Sequence, residues 1–242
     1  RLAAAGLRGP RRILEGPQGL FAATAPGAGH AGMAAGDGEA WMIHATSLKP
    51  WPACRHAHPA IDAMLEALQH AGAVAPEGIV RIEVATYAEA LRFCDRPHPV
   101  TELEARFSLQ HALAAIACLG RPELVHYTPA VFERSELQAL RDRVVVREDA
   151  ACSAAFPAHY GAMVEVHLAD GRRFAASRTD AWGDPECPMA TSDVVSKAMA
   201  LAAWGGVSPG AAEAIIESAM ALQGGGTLAG LAQALEQVPA CA

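Results

Sequence analysis

The sequence predicts an α+β protein in which a mixed module interrupts a helical layer. Residues 60–71 carry apolar side chains at helical spacing. Residues 79–84 and 163–168 alternate apolar side chains with charged or polar ones, a pattern typical of half-buried strands. From residue 191 onward the pattern is helical again. Because the order is helical, then mixed, then helical, we expect an α+β module inserted between pieces of one helical layer.

The first elements of the helical layer are short. Residues 1–9 have a helical composition that ends at Gly9-Pro10. The chain begins without an initiator Met, so we expect this helix to start earlier in a longer protein; N-terminal processing is the alternative. Residues 17–25 form an apolar segment, and residues 26–38 are predicted to be a loop rich in Gly and Ala.

A longer helix opens at Pro59 and runs to about residue 72, since Pro is favoured at the first helical position. His58 then falls near the N-cap. The mixed module that follows combines short strands with amphipathic helices. It is predicted to contain strands at 79–84 and 144–146, helices at 102–119 and 133–142, and a hairpin of 163–168 and 173–178 that turns at Asp170-Gly171.

Three helices are predicted to close the chain. The first is capped by Thr191 or Ser192 and ends at Trp204, before two glycines. The second opens at Ser208-Pro209 and runs through Leu222, where a run of glycines ends it. The third covers about residues 228–236.

The length and net charge of the chain exclude some classes of binding partner. The 242 residues are enough for a substantial core, and 52% of them are hydrophobic. The net charge is −7 and the basic residues form no run longer than a pair, so neither nucleic acid nor a membrane is an expected partner. The chain shows no secretion-signal pattern, and its six cysteines are scattered without a CxxC pair. A reducing cytoplasm is therefore the expected location.

The segment from Lys49 to Pro59 carries the densest set of reactive side chains. Lys49 is one of two lysines in the chain, and Arg55 follows within the same stretch. Next to the N-terminus of the predicted helix, these two cations would form a receptor for carboxylates. Capping of a helix C-terminus or pairing with a surface carboxylate is the alternative for Lys49. The second lysine, Lys197, is predicted to face solvent from its helix.

Other sites are less well supported by the pattern. Cys54, His56 and His58 alternate in the sequence and could be metal ligands if they lay on one side of a strand. The prolines beside them argue against a regular strand, so we predict no metal site. We also predict no cofactor. Residues 27–32 match GxGxxG without a preceding strand, and a loop is the preferred interpretation. Cys54 has two alternative roles. It is either a reactive thiol, whose pKa is lowered by the neighbouring positive charges, or a small residue that packs in the core.

Four segments together resemble the MmgE/PrpD family, which includes 2-methylcitrate dehydratase, cis-aconitate decarboxylase and iminodisuccinate epimerase. Lys49–Asp62 is similar to the family signature KPYPxCRxxHPAID. Leu14–Phe21 is similar to its LEGxxGFF segment, and Ala105–His111 to its KFSLQY segment. Gly183–Pro188 is similar to its GDPxNPL segment, which precedes a helix with a lysine, here Lys197.

The resemblance implies a fold made of a large helical domain and a smaller α+β lid. The chain then divides into residues 1–48 at the end of the helical domain, residues 49–185 as the lid, and residues 186–242 as a helical segment that returns to the first domain. The N-terminal part of the helical domain has no counterpart in the sequence. Family members are commonly dimers, so a homodimer is expected.

The resemblance also implies an active site between the helical domain and the lid. Lys49 matches a position that lines it, and we expect Lys49 and Arg55 to hold substrate carboxylates. His58 and His111 are candidates for proton transfer or orientation; the motif ends in Tyr in many members where this chain has His111. Cys54 stands where the decarboxylase branch has His, and it is the third catalytic candidate.

The implied function is a lyase that removes a proton next to a carboxylate of a small di- or tricarboxylate. A 2-methylcitrate dehydratase-like hydro-lyase of propionate catabolism is the leading hypothesis, and the sequence does not identify its general base. The alternatives are decarboxylation or epimerisation within the family, and a non-catalytic carboxylate-binding or assembly module that pairs with a separate N-terminal half.

Overall fold

A computed structural model of the chain describes residues 6, 8–9, 11–14, 16–17, 19–24, 42–236 and 238. The chain divides into two compact units, residues 1–45 and residues 46–242. The first unit contains helix α1 (Leu20–Thr24) and a 3-10 helix (Met42–Ala45). Most of the predicted helix at residues 1–9, and all of the predicted loop with its GxGxxG match, lie outside the described residues.

A four-stranded sheet organises the second unit. Its strands are β1 (Ile79–Thr86), β2 (Val144–Glu148), β3 (Ala162–Leu168) and β4 (Arg173–Arg178), in the order β2-β1-β3-β4. β1 and β2 are parallel, whereas the other neighbours are antiparallel. The predicted strands and the predicted hairpin are therefore confirmed. The mixed sheet also confirms the α+β class at this level.

One face of the sheet forms the core of the unit. Ile82 of β1 is in register with Val144 on one side and Val166 on the other, and Val84 with Val146 and Val164. Helix α2 (His58–Ala71) packs on β3 and β4, and helix α5 (Leu109–Leu119) packs on α2 and β2. Each fully buried Ile or Val contributes about 1.5–3 kcal/mol, so this layer anchors the parts that carry the site.

The prediction of a single helix at residues 102–119 is wrong, because the helix is interrupted between α4 (Glu102–Arg106) and α5. Ser108 has extended backbone angles, and its side-chain oxygen accepts the N–H of His111 at 2.9 Å. Ser108 is thus an N-cap that begins a new helix. The helix predicted at residues 133–142 is observed as the shorter α7 (Ser135–Arg141). The remaining helices of this part are α3 (Ala88–Cys94), α6 (Pro129–Phe132) and α8 (Ala150–Ala155).

The three predicted C-terminal helices are confirmed, but the predicted cap at Thr191 or Ser192 is wrong, because Ala190 is the N-cap of the first helix and no side-chain hydrogen bond caps it. They are α9 (Thr191–Trp204), α10 (Pro209–Ala221) and α11 (Leu228–Glu236), and the Ser208 hydroxyl caps α10. α10 packs against both α9 and α11. The proposed division of the chain at residue 185 stays a prediction. Among the helices that the structure describes, none has the length and apolar character needed to cross a membrane.

Gly183 is a position where backbone geometry excludes a side chain. Its φ is +94°, and a Cβ there would lie 2.1 Å from the Leu48 carbonyl oxygen. Its N–H bonds to the Cys187 carbonyl and its carbonyl accepts the Leu48 N–H, at 2.7 and 2.8 Å. The clash is with backbone, so it cannot be relieved by turning a side chain.

We therefore expect Gly183→Ala to lower the free energy of unfolding by about 3 kcal/mol, measured by urea titration. Gly171→Ala is the matched control, since φ is +87° there but no atom lies within 4 Å of the added Cβ. It should cost only about 1–2 kcal/mol. Equal losses in the two variants would contradict the close packing at Gly183.

Candidate functional site

The carboxylate of Asp184 joins the Lys49 segment to the loop at residues 181–187. Asp184 is 4% exposed. It accepts the Ser47 hydroxyl at 2.6 Å and the Ala181 N–H at 2.9 Å, and it forms an ion pair with Arg55. A buried carboxylate needs such donors to offset its loss of hydration. Two segments that lie far apart in the chain are thereby held side by side.

A second buried carboxylate, Asp62 on α2, holds two tryptophans at the same place. Its two oxygens accept the Trp51 indole N–H at 2.7 Å and the backbone N–H of Trp182 at 2.8 Å. Burial raises the pKa of Asp62, although both of these hydrogen bonds oppose the shift. The two rings lie 5.4 Å apart, centre to centre. Asp62 thus fixes an aromatic wall.

This wall borders an open cleft of about 1020 Å³ within the second unit. Its lining is mostly apolar, with charged groups of both signs. The charged residues are Lys49, Arg106, Arg121, Glu123, Asp193 and Lys197, and the aromatic ones are Trp51, Phe107, Trp182 and Trp204. An apolar cleft with a few convergent charged groups is the usual form of a small-molecule site.

Both lysines of the chain meet in the cleft. Lys197 projects from α9, and its ammonium group donates to the backbone carbonyl of Lys49. We expected Lys197 to face solvent, but it lines the cleft instead. Partial burial and the charge of Lys49 lower the pKa of Lys197. The Lys49 ammonium forms no hydrogen bond or ion pair with the residues that the structure describes, so its donors remain available to a ligand.

Cys54 also lines the cleft, and its thiol has an unusual environment. The side chain is 8% exposed. A hydrogen bond from the Cys94 thiol lowers the pKa of Cys54, and the backbone N–H groups of His56 and Arg55 and the charge of Lys49 act in the same direction. Burial opposes them, but the pKa still falls to about 6. This environment favours the thiolate form of Cys54 over the thiol.

The two predicted proton-transfer histidines lie outside the cleft lining. His58 is fully buried, with Nε2 3.3 Å from the Ala53 carbonyl oxygen. His111 is also fully buried, with Nε2 2.9 Å from the carbonyl oxygen of His126 and Nδ1 3.3 Å from the guanidinium of Arg141. Burial lowers the pKa of His58 to about 3 and that of His111 to about 4. Both rings are therefore neutral near pH 7.

The predicted anchor Arg55 faces a protein carboxylate. Besides its ion pair with Asp184, its guanidinium carbon lies 4.5 Å from the centre of the Tyr160 ring. Arg55 thus follows the cleft residue Cys54 in the sequence, but it does not line the cleft. Its charge pairs with Asp184 and so connects two loops.

The side chains once considered for a metal take separate partners. His56 lies 2.7 Å from the Tyr87 hydroxyl through Nδ1 and stacks on Phe93 at 5.1 Å. His58 turns towards Ala53, as described above. Within residues 42–236, three donor atoms come together instead at two other places, formed by Glu83, Glu165 and His167, and by Asp180, Asp184 and Glu186.

Among the cleft residues that the sequence did not indicate as functional, Arg121 and Trp182 pack against each other. The guanidinium carbon of Arg121 lies 5.0 Å from the Trp51 ring centre and 5.6 Å from that of Trp182. A sequence signal was present for Trp182, which directly precedes Gly183-Asp184. Arg121 follows the helix-ending Gly120, a position that indicates a turn and no particular function.

Acidic pH should destabilise the fold through His58 and His111. Their pKa values are about 3 and 4 in the folded chain, against about 6.5 when unfolded. Between these values the unfolded chain binds more protons, so stability falls as pH falls below about 6.5. We expect the free energy of unfolding, from urea titrations, to drop by about 2–4 kcal/mol from about pH 7 to pH 5.

His111→Gln should remove roughly half of this pH dependence, whatever it does to stability at pH 7. His70→Gln on the exposed end of α2 serves as the control and should leave the slope unchanged. An unchanged slope in His111→Gln would show that His111 titrates normally.

The reactivity of Cys54 offers a second test. We expect its alkylation by iodoacetamide, followed by peptide mass spectrometry, to reach half of its maximal rate near pH 6. Cys94→Ala removes the thiol hydrogen bond and should move this midpoint upward. A midpoint for the unsubstituted chain at the ordinary cysteine pKa of about 8.5 would contradict the described environment.

Comparison with known proteins agrees with this architecture. Residues 51–222 match the family described as MmgE/PrpD C-terminal domain. The chain is also 28% identical over 132 residues to 2-methylcitrate dehydratase from Salmonella typhimurium, and equally so to the protein of the same name from Salmonella typhi. These matches cover 51% of the chain and 27% of each relative, so the chain matches about a quarter of their length.

The family match includes the Trp51 and Asp62 wall, the Asp184 loop and most of the cleft lining. It covers well over half of the chain. The chain therefore belongs to the MmgE/PrpD family.

Proposed function

We propose that the chain forms one wall of the substrate site of an MmgE/PrpD lyase that acts on a small di- or tricarboxylate. The leading reaction is dehydration of a 2-methylcitrate-like substrate. The observation that carries the proposal is the ammonium group of Lys49, which has no partner among the described residues, in a cleft that also holds Lys197 and Arg121. The name of the Salmonella relatives supports the choice of reaction.

The chemistry requires cations at the carboxylate next to the reacting carbon. Removal of a proton from that carbon moves negative charge onto the carboxylate oxygens. A preorganised ammonium group stabilises this charge more strongly than the charge of the ground state. In this proposal Lys49 supplies that stabilisation. Lys197 helps by orienting the Lys49 backbone and adding positive charge.

For proton transfer, the proposal favours Cys54 among the three predicted residues. It lines the cleft, and a thiolate with a pKa of about 6 can accept a proton near neutral pH. His58 and His111 are proposed to have structural roles. His58 bonds to the Ala53 carbonyl, and His111 to the Arg141 guanidinium. Arg55 is proposed to position the Lys49 segment through Asp184. A further acid or base would come from the remainder of a longer protein or from a second subunit.

The second candidate function is a carboxylate-binding or assembly module without turnover. The burial of His58 and His111, both neutral and outside the cleft, favours it. Decarboxylation and epimerisation are the remaining reactions within the family. Incubation of the purified chain with 2-methylcitrate, cis-aconitate and iminodisuccinate, followed by product analysis, separates the three reactions. Binding without any product would favour the module.

We also propose that the protein works in the cytoplasm as a homodimer. The cysteines at 54, 94, 118, 152 and 187 are free thiols, which supports a reducing compartment. Light scattering coupled to size-exclusion chromatography tests the oligomeric state.

Lys49→Ala should lower kcat/KM for the best carboxylate substrate by about 100-fold or more, because it removes a charge that acts on the transition state. Should the chain bind without turnover, the same substitution should weaken carboxylate affinity about tenfold or more. Arg81→Ala on the sheet is the control for a lost surface charge. Unchanged turnover and unchanged affinity in Lys49→Ala would reject the role of Lys49.

A further inference from the structure

Arg121 has an arrangement that leaves its hydrogen-bond donors unused. Its guanidinium group lies over the Trp51 and Trp182 rings, with its central carbon 5.0 and 5.6 Å from their centres. Aromatic faces attract a cation without occupying its N–H groups. Arg121 makes no hydrogen bond or ion pair with the residues that the structure describes. Its planar fork therefore remains free for an external acceptor.

Two carboxylates that share a second cavity with Arg121 have other partners. This cavity measures about 460 Å³, and its lining includes Arg121, Asp62 and Glu66. Both oxygens of Asp62 accept hydrogen bonds from the two tryptophans, and Glu66 forms an ion pair with Arg178. Arg121 forms an ion pair with neither of them.

The position of Arg121 is set by rigid parts of the fold. Gly120, with φ +87°, ends α5 and turns the chain, and the buried Pro122 follows directly. Asp62 of the core helix α2 accepts the indole N–H of Trp51 and the backbone N–H of Trp182, so it holds one ring directly and the other through its backbone. A preorganised arginine loses little entropy when it binds a carboxylate in bidentate fashion.

We infer that Arg121 is a specificity-determining receptor for a substrate carboxylate, held in place by the Trp51 and Trp182 rings. The inference rests on the proposed function, in which Lys49 holds the carboxylate next to the reacting carbon. Arg121 binds a further carboxylate of the same ligand. The ligand class that fits this pair is the polycarboxylates, with tricarboxylates preferred over dicarboxylates. Asp62 is the positioning residue, because it acts through the two tryptophans.

The test measures binding of citrate, succinate and acetate to the full chain by isothermal titration calorimetry. Unsubstituted chain should bind citrate most tightly. Arg121→Met keeps much of the side-chain stem and removes the fork; it should weaken citrate binding about 10- to 100-fold and abolish the preference for citrate over succinate. Arg121→Lys keeps the charge and should restore part of the affinity without the full preference.

Arg172→Met is the matched control, because Arg172 also lies over an aromatic ring, Phe174 at 5.6 Å, but lies outside the cleft lining. Its citrate binding should stay within about twofold of the unsubstituted chain. Unfolding midpoints confirm that the variants are folded, and Arg121→Gln replaces Arg121→Met if the latter does not fold.

Two results overturn the inference, and they are distinguishable. If Arg121→Met binds citrate with unchanged affinity and preference while Lys49→Ala does not, Arg121 is a structural residue and the proposed function stands. If the unsubstituted chain binds neither citrate nor succinate, the proposed function fails together with this inference.

Discussion

The buried carboxylate of Asp184 is the interaction on which the site depends. It collects hydrogen bonds from Ser47 and Ala181 and the ion pair with Arg55, so it joins the segment before α2 to the loop before α9. Loss of Arg55 would leave the buried charge of Asp184 without its ion-pair partner, at a cost of about 3–5 kcal/mol. Gly183 beside it permits the close approach to Leu48. The Lys49 segment therefore has one position relative to α9, and Lys197 meets it there.

The charges available to a ligand in the cleft depend on which charged side chains already have partners within the protein. Arg55 is neutralised by Asp184, and both oxygens of Asp62 are occupied by the tryptophans. Lys49 and Arg121, beside an aromatic surface, form no hydrogen bond or ion pair within the part of the chain that the structure describes. His58 and His111 are neutral, because burial disfavours their charged forms. The result is a cleft with more cationic than anionic side chains, lined also by Cys54, whose pKa is lowered.

Much of the fold could be predicted from periodicity. The apolar alternation of β1 and β3 and the helical spacing of α2 and α9–α11 extend over enough residues to be recognised. The break before α5 and the short helices α3 and α8 were missed or misread, because five to seven residues carry little periodic signal. At Ser108 a capping side chain overrode the continuous apolar pattern.

The sequence by itself determined the family and the α+β class, since these are properties of local pattern and motif. Only the tertiary structure decided which reactive side chains share the cleft. Lys49 and Cys54 do, His58 and His111 are buried, and Arg55 is paired with Asp184. Arg121 enters the cleft from the turn after α5, and Lys197 from α9. The physical reason is that burial and pairing depend on contacts between residues far apart in the chain, and spacing along the sequence does not encode them.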